Sequence, residues 1–149
     1  MVRPTFAHID LDAVRVNYRA VVSYVGSGPG RPQVIAVVKA NGYGHGAVPV
    51  ARALEAAGAE MLACADIEEG VELRRGGVRA PILVFGALSV SDLDGVFTHG
   101  LTPTISSPFA ARALRDAATS RGTRVDCHLK IDTGMNRLGF RYDNLTETL

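Results

Sequence analysis

The sequence predicts an α/β fold with a parallel sheet, because short apolar runs alternate with longer segments of helical periodicity. The connections between these segments are short, and strands joined through helices in this way form right-handed βαβ units. Two architectures satisfy the pattern: a doubly wound open sheet, or part of a (β/α)₈ TIM barrel. The chain has 149 residues, whereas eight units need ~250. A barrel would therefore be represented by about its first five units.

Five strands are predicted at regular intervals along the chain. The first, Gln33–Lys39, is an almost continuous apolar run, which is typical of a strand covered on both faces. The others are Glu60–Ala65, Pro81–Phe85, Leu101–Ile105 and Arg124–Ile131. A shorter candidate strand, Phe6–Ile9, precedes them all.

The helices predicted around these strands begin at residues suited to capping. Asp10, Asp66 and Ser107 are placed as N-caps, because their side-chain oxygens accept hydrogen bonds from the free amides of a first turn. Asp143 is placed as a further N-cap, and we expect residues 1–149 to end inside the helix that follows it. The predicted helices start after Asp10, span Ala47–Ala57, run from Asp66 to about Arg75, start at Ser89, and run from Ser107 to Gly122.

Composition and charge are those of an ordinary globular domain. The sequence is 47% hydrophobic and 21% charged, with a formal net charge of +1. It therefore lacks the basic excess of nucleic-acid-binding proteins and the high charge of disordered chains. The longest strongly apolar run, Val34–Val38, is much shorter than the ~20 residues of a membrane-spanning helix, and no signal-peptide pattern is present. We expect a cytoplasmic protein without nucleic-acid or membrane partners.

The two cysteines point to the same compartment. Cys64 and Cys127 lie in apolar stretches, so we predict that both are buried free thiols. Free thiols are typical of a reducing compartment. The alternative is a disulfide between the two residues.

The first segment that predicts chemistry is Val37–Gly46, which reads VVKANGYGHG. Lys39 ends a predicted strand, and functional groups of parallel α/β folds gather at such ends. Partial burial there would lower the pKa of its amine and make it nucleophilic, which suits Schiff-base formation with an aldehyde. The surrounding glycines allow the backbone to approach a ligand closely. The alternative is a lysine that ends the strand and extends into solvent.

The second such segment is His128–Phe140, which reads HLKIDTGMNRLGF. Lys130 lies near the end of the fifth predicted strand and Arg137 lies on the loop beyond it, both directed to the rim that carries Lys39. Neighbouring cations repel unless a phosphate or carboxylate lies between them or one of them is modified. The alternative is a surface ion pair between Asp132 and one of the two cations, which contributes little energy.

These two motifs, about 90 residues apart, resemble the signatures of the alanine racemase family. The segments HIDLDAVRVNYRA and ACADIEEGVELRRGGVRAPILVFG are similar to the same family, in the same order. The resemblance implies a pyridoxal 5′-phosphate enzyme of fold type III, with a (β/α)₈ barrel and a β-rich C-terminal domain. It also implies a homodimer whose active sites use both subunits. The implied reaction interconverts L-alanine and D-alanine and supplies D-alanine for peptidoglycan.

The resemblance also implies roles for individual residues. Lys39 matches the lysine that forms the Schiff base with the cofactor and exchanges the α-proton on one face of the substrate. Tyr43 matches a tyrosine that holds the cofactor phosphate. Arg137 matches an arginine near the cofactor phenolic oxygen and the substrate carboxylate. Lys130 matches a lysine that is commonly carbamylated, which would give it a negative charge beside Arg137; no metal ligand is implied.

Parts of the family pattern have no counterpart in this sequence. The second proton-transferring group of the family is a tyrosine of the C-terminal domain, and that domain and the last barrel strands have no match here. We therefore expect residues 1–149 to be the N-terminal part of the barrel and to be inactive alone. Two alternatives share the motifs: a non-racemising, single-domain carrier of pyridoxal phosphate, and an inert truncated remnant. The choice between alanine, serine and other substrates stays open.

Overall fold

The computed structural model describes residues 4–26 and 28–145, and its centre is one five-stranded parallel sheet in the order β1-β2-β3-β4-β5. The strands are β1 Ile35–Val37, β2 Met61–Cys64, β3 Ile82–Val84, β4 Thr102–Ile105 and β5 His128–Leu129. Each strand pairs in parallel with the strand that follows it in sequence. This sequential order is that of a (β/α)₈ barrel, whereas a doubly wound sheet reverses its strand order at a switch point. The fold is therefore a partial barrel, as one of the two predicted architectures requires.

The helices connect and cover these strands. They are α1 Leu11–Tyr24, α2 Lys39–Tyr43, α3 Ala47–Ala56, α4 Ile67–Arg75, α5 Leu93–His99 and α6 Pro108–Ser120. The predicted N-caps are confirmed, because the side chains of Asp10, Asp66 and Ser107 accept hydrogen bonds from amides of the first turns of α1, α4 and α6. A 3-10 turn over Val90–Asp92 precedes α5, so the helix predicted from Ser89 begins slightly later. No helix in the described part of the chain has the length and apolar character to cross a membrane.

The hydrophobic core lies between the sheet and the helices. Leu62 on β2 and Ile82 on β3 are fully buried, and so are Ile67 and Leu73 on α4. Removing a side chain of this size from water contributes about 1.5–3 kcal/mol. The core therefore fixes α4 against the middle of the sheet, and the first turn of α4 lies close to the strand ends that carry the candidate site.

The first strand is shorter and less covered than predicted. The prediction of a strand over Gln33–Lys39 with both faces covered is wrong, since β1 spans Ile35–Val37 and its two outer residues are exposed. Ile35 is 41% exposed and Val37 is 39% exposed. β1 is an edge strand with one neighbouring strand, so its apolar pattern does not report two covered faces.

The fifth strand also differs from its prediction. Within Arg124–Ile131 the pairing with β4 is limited to β5, the other edge of the sheet. Cys127 is exposed, so the prediction that it is buried is wrong, while Cys64 is buried as predicted and both are free thiols. Beyond β5, two short strands, β6 Ile131–Asp132 and β7 Phe140–Arg141, pair with each other.

The two ends of the described chain differ from the predictions as well. Phe6–Ile9 forms no strand, and Phe6 is 85% exposed. Asp143 lies inside a 3-10 turn over Tyr142–Asn144, and Leu145, directly after this turn, is helical. The helix predicted over residues 144–149 falls mainly on residues 146–149, which lie outside the described residues.

Candidate active site

The candidate site residues lie just beyond the carboxyl ends of three strands. Lys39 follows β1, Phe85 follows β3 and Lys130 follows β5. Because the strands are parallel, their carboxyl ends all lie at the same end of the sheet. Barrel enzymes have their active sites at this end of the strands.

The backbone after Lys39 adopts a left-handed conformation. Residues 40–44 all have positive φ, between 51° and 83°, so α2 is a left-handed turn. Glycine adopts this conformation freely, but the turn also contains Ala40, Asn41 and Tyr43. A residue with a Cβ in a left-handed helix is disfavoured by roughly 1–2 kcal/mol. Surrounding contacts must offset this strain, which is typical of functional sites.

Contacts with α3 hold the far end of this turn. The Oδ1 atom of Asn41 accepts a hydrogen bond of 2.8 Å from the Ala47 amide, in the first turn of α3. The helix N-cap, Gly46, has no side chain for this purpose, so Asn41 supplies the capping oxygen. Gly42 is buried, and a Cβ there would lie 3.3 Å from the backbone of Ala47. The turn is thus packed too closely against α3 for a larger residue at position 42.

A carboxylate of α4 holds the near end of the turn. The Oε1 atom of Glu69 accepts from the Ala40 amide at 2.5 Å, and its Oε2 atom accepts from the Ala65 amide at 2.8 Å. This role of Glu69 was not predicted from the sequence. The spacing of Asp66 and Glu69 resembles a capping box, in which Glu69 would bond back to the N-cap amide. Nothing in the sequence relates Glu69 to Ala40, which is 29 residues away.

The Lys39 side chain lies against an aromatic ring. Lys39 is half-buried, and its Nζ atom is 5.5 Å from the centre of the Phe85 ring. A cation over an aromatic face is attracted by the ring quadrupole, so Phe85 helps to set the direction of the amine. Phe85 was not predicted as a site residue, although its position at the carboxyl end of a predicted strand could have indicated a place in the site.

Tyr43 is the other ligand-binding candidate on the turn. It is 56% exposed and has a φ of 55°. Among the described residues its hydroxyl has no hydrogen-bond partner. A phenolic hydroxyl in this position can donate to an anion such as a phosphate oxygen.

Lys130 is fixed by its backbone and exposed at its side chain. Its amide donates to the Ile105 carbonyl at 2.8 Å, and its carbonyl accepts from the Phe140 amide at 2.8 Å. These bonds connect the main sheet to the β6–β7 pair. The Nζ atom is 3.2 Å from the Ile131 carbonyl oxygen, so the amine lies at the surface beside its own strand.

Asp132 shapes the loop that carries Arg137. Its Oδ1 atom accepts from the amides of Gly134 and Asn136, each at 3.0 Å. These two bonds hold the pKa of Asp132 below its usual value. The predicted alternative of a surface ion pair is therefore wrong: in residues 4–26 and 28–145, no ion pair joins Asp132 to Lys130 or Arg137. Arg137 is exposed, with no ion-pair partner in the same part of the chain.

The three predicted cations are not in contact. Lys39 follows β1 and Lys130 follows β5, which are the outer strands of the sheet. Four strand spacings of ~4.8 Å separate them by about 19 Å along the sheet. No described contact links Lys39 to Lys130 or Arg137, so their convergence on one anion stays a prediction.

Comparison with known proteins identifies relatives of this chain. A family model described as "Alanine racemase, N-terminal domain" matches residues 9–149. The alanine racemase of Symbiobacterium thermophilum is 48% identical over 139 residues, which is 93% of this chain. The match covers 36% of that relative. The chain therefore spans about a third of the length of the curated relatives it matches.

Solved structures of related proteins share the fold. The alanine racemase of Streptomyces lavendulae superposes with a TM-score of 0.88 at 37% identity, over 98% of this chain and 38% of that one. The alanine racemase of Bartonella henselae, solved with covalently bound pyridoxal phosphate, superposes with a TM-score of 0.81 at 29% identity. That match covers 93% of this chain and 40% of the Bartonella chain. The five parallel strands and their connecting helices therefore correspond to the N-terminal domain of this family.

Proposed function

Because the chain belongs to the family of alanine racemase N-terminal domains, we propose that it supplies the cofactor-binding part of an enzyme that interconverts L-alanine and D-alanine. The observation that carries this proposal is the placement of Lys39. Lys39 is half-buried just beyond the carboxyl end of β1 and is followed by a left-handed turn held from both sides. The activity is proposed for the complete protein in which residues 1–149 operate.

The residues around the turn fit pyridoxal 5′-phosphate. Lys39 provides an amine for the aldehyde of that cofactor, and the amine is directed by the Phe85 ring. Tyr43 provides an exposed hydroxyl on the same turn for the phosphate. When bound, pyridoxal phosphate acts as an electron sink that allows the α-proton of an amino acid to leave.

Lys39 also has a proton to move. Racemisation needs a proton-transferring group on each face of the reacting carbon. We assign one face to the Nζ atom of Lys39, which removes the α-proton of one enantiomer while the group on the other face donates a proton, and which acts as the donor in the reverse reaction. We assign the other face to a side chain outside residues 1–149, so that the isolated residues would bind cofactor without racemising alanine.

Arg137 and Lys130 are assigned to the opposite side of the site. Arg137 is exposed with no ion-pair partner in the described part of the chain, and its guanidinium suits the substrate carboxylate or the phenolic oxygen of the cofactor. We propose that the neutral Lys130 amine adds to carbon dioxide and releases a proton, which leaves a negatively charged carbamate. That charge would attract and orient Arg137. Incorporation of ¹³C-labelled bicarbonate into the complete protein at neutral pH, followed by the carbamate carbon resonance, tests the modification, and Lys130→Ala should remove that resonance.

The cellular setting is proposed from the same relationship. We propose that the complete protein acts in the cytoplasm as a homodimer and supplies D-alanine for peptidoglycan. The free thiols of Cys64 and Cys127 agree with a reducing compartment. The mass of the complete protein in solution, measured by light scattering, tests the dimer.

A turnover assay tests the proposed function. The complete protein is supplied with pyridoxal phosphate and either L-alanine or L-serine, and formation of the D-enantiomer is followed by chiral chromatography. We expect D-alanine to form, and we expect Lys39→Ala to abolish both turnover and the absorbance of bound cofactor. A carrier protein would bind the cofactor without turnover, and an inert protein would do neither; both results would contradict the proposal.

A further inference from the structure

The Glu69 carboxylate joins two segments at the edge of the sheet. One oxygen accepts from the Ala40 amide at 2.5 Å, and the other accepts from the Ala65 amide at 2.8 Å. Ala40 follows Lys39 directly, and Ala65 follows β2, the strand paired with β1. A single side chain therefore fastens the start of the left-handed turn to the end of the neighbouring strand.

The left-handed conformation takes the Ala40 amide out of the strand ladder. The φ of 51° takes this residue out of the strand geometry of β1, and its amide donates to Glu69 instead of extending the ladder with β2. Hydrogen bonds to an ionised carboxylate are shorter and stronger than neutral ones. Glu69 is thus suited to offset part of the strain at the residue next to the lysine.

Glu69 is itself held firmly. Its amide donates to the Asp66 Oδ1 atom at 2.9 Å in the first turn of α4, where a negative side chain is favoured by the helix dipole. Two residues of the same helix, Ile67 and Leu73, are fully buried in the core. The carboxylate is therefore presented from a rigid support, as a precise site requires.

We infer that Glu69 is a positioning residue for the lysine amine: its carboxylate fixes the left-handed turn and thereby the direction in which Lys39 leaves the sheet. This inference rests on the proposed function. Glu69 does not need to touch the cofactor or the substrate to act in this way. Small displacements of a reacting group reduce rates strongly, so the effect should appear in turnover.

Glu69→Gln tests the inference, with Glu68→Gln as the matched control. Glutamine keeps one acceptor oxygen and replaces the other by an NH₂ donor, which faces an amide donor and loses one of the two bonds. Glu68 lies in the same first turn and is exposed. Its replacement therefore removes the same charge without touching the turn. Should Glu69→Gln fail to fold, Glu69→Asp shortens the side chain and tests the same contact.

Three measurements on the complete protein separate positioning from a general structural role. For Glu69→Gln we expect hydrogen exchange at the Ala40 or the Ala65 amide, whichever loses its acceptor, to rise about tenfold, the value for one net hydrogen bond. We expect the dissociation constant for pyridoxal phosphate to rise about tenfold for the same reason. We expect kcat per bound cofactor to fall at least tenfold while KM changes less, since a purely structural loss would lower the amount of holoenzyme and leave kcat per bound cofactor unchanged.

The outcomes distinguish the two claims. If the wild-type protein racemises alanine and Glu69→Gln matches Glu68→Gln in all three measurements, Glu69 is not a positioning residue. If the wild-type protein neither binds pyridoxal phosphate nor racemises, the proposed function fails. Exchange at the Ala40 and Ala65 amides, which needs no cofactor, then still decides whether Glu69 holds the turn.

Discussion

Replacing Asn41 by alanine should destabilise the protein by about 2 kcal/mol. The hydrogen bond of 2.8 Å from the Ala47 amide to the Asn41 side chain caps α3, and loss of such a cap costs about 1 kcal/mol. Asn41 also has a φ of 54°, and asparagine tolerates this region better than alanine, which adds about 1 kcal/mol. The two contributions arise from different atoms and are expected to add.

Ala40→Gly is the matched control, because the neighbouring residue has the same handedness and a φ of 51°. Glycine removes a steric penalty of roughly 1–2 kcal/mol and loses about 0.5–1 kcal/mol through the greater freedom of the unfolded chain. The net change should be neutral or stabilising. Urea unfolding measures the free energy of unfolding of both variants, and an unchanged m-value shows that the difference is one of stability. The strain argument would be refuted if Asn41→Ala lowered the free energy of unfolding by less than about 0.5 kcal/mol. It would also be refuted if Ala40→Gly lowered the free energy of unfolding by more than about 0.5 kcal/mol.

Three further predictions concern other parts of the site and core. Arg137→Ala should lower kcat/KM at least about tenfold, because a charged hydrogen bond is lost. The control is Arg112→Ala, which removes an exposed arginine of α6 and should leave kcat/KM within about twofold. Equal effects of the two substitutions would mean that Arg137 is a surface residue with no role in the site. The lowered pKa of Asp132 means that its two loop bonds persist above the unfolded value of 3.8 and are lost as pH falls through the lower folded value; amide chemical shifts of the loop that titrate above pH 4 would contradict this. Burial raises the pKa of the Cys64 thiol to about 12, so a thiol reagent at pH 8 should label the exposed Cys127 and spare Cys64 until the protein unfolds.

The features that could be predicted from the sequence are those with local causes. Asp10, Asp66 and Ser107 were identified as caps because a capping oxygen and its amide are two or three residues apart. The centres of the buried strands were identified because their apolar runs are continuous. The ends of the two edge strands could not be predicted, because the burial of β1 and β5 depends on how many strands lie beside them.

The candidate site divides in the same way. The position of Lys39 followed from a strand end and a glycine-rich turn. The left-handed conformation of Ala40 and Asn41 did not, because contacts with Glu69 and Ala47 impose it. The contact between Glu69 and Ala40 spans 29 residues and leaves no local pattern. The roles of Tyr43, Lys130 and Arg137 stay predictions, because they depend on a bound cofactor and substrate.

The central claim is that pyridoxal phosphate binds covalently to Lys39, and the chain permits a direct test. Residues 1–149 contain two lysines, Lys39 and Lys130. Borohydride reduction of the complete protein loaded with pyridoxal phosphate, followed by peptide mass mapping, identifies the residue that carries the cofactor. We predict a phosphopyridoxyl group on Lys39 and none on Lys130. A label on Lys130, or no label on either lysine, would contradict the account.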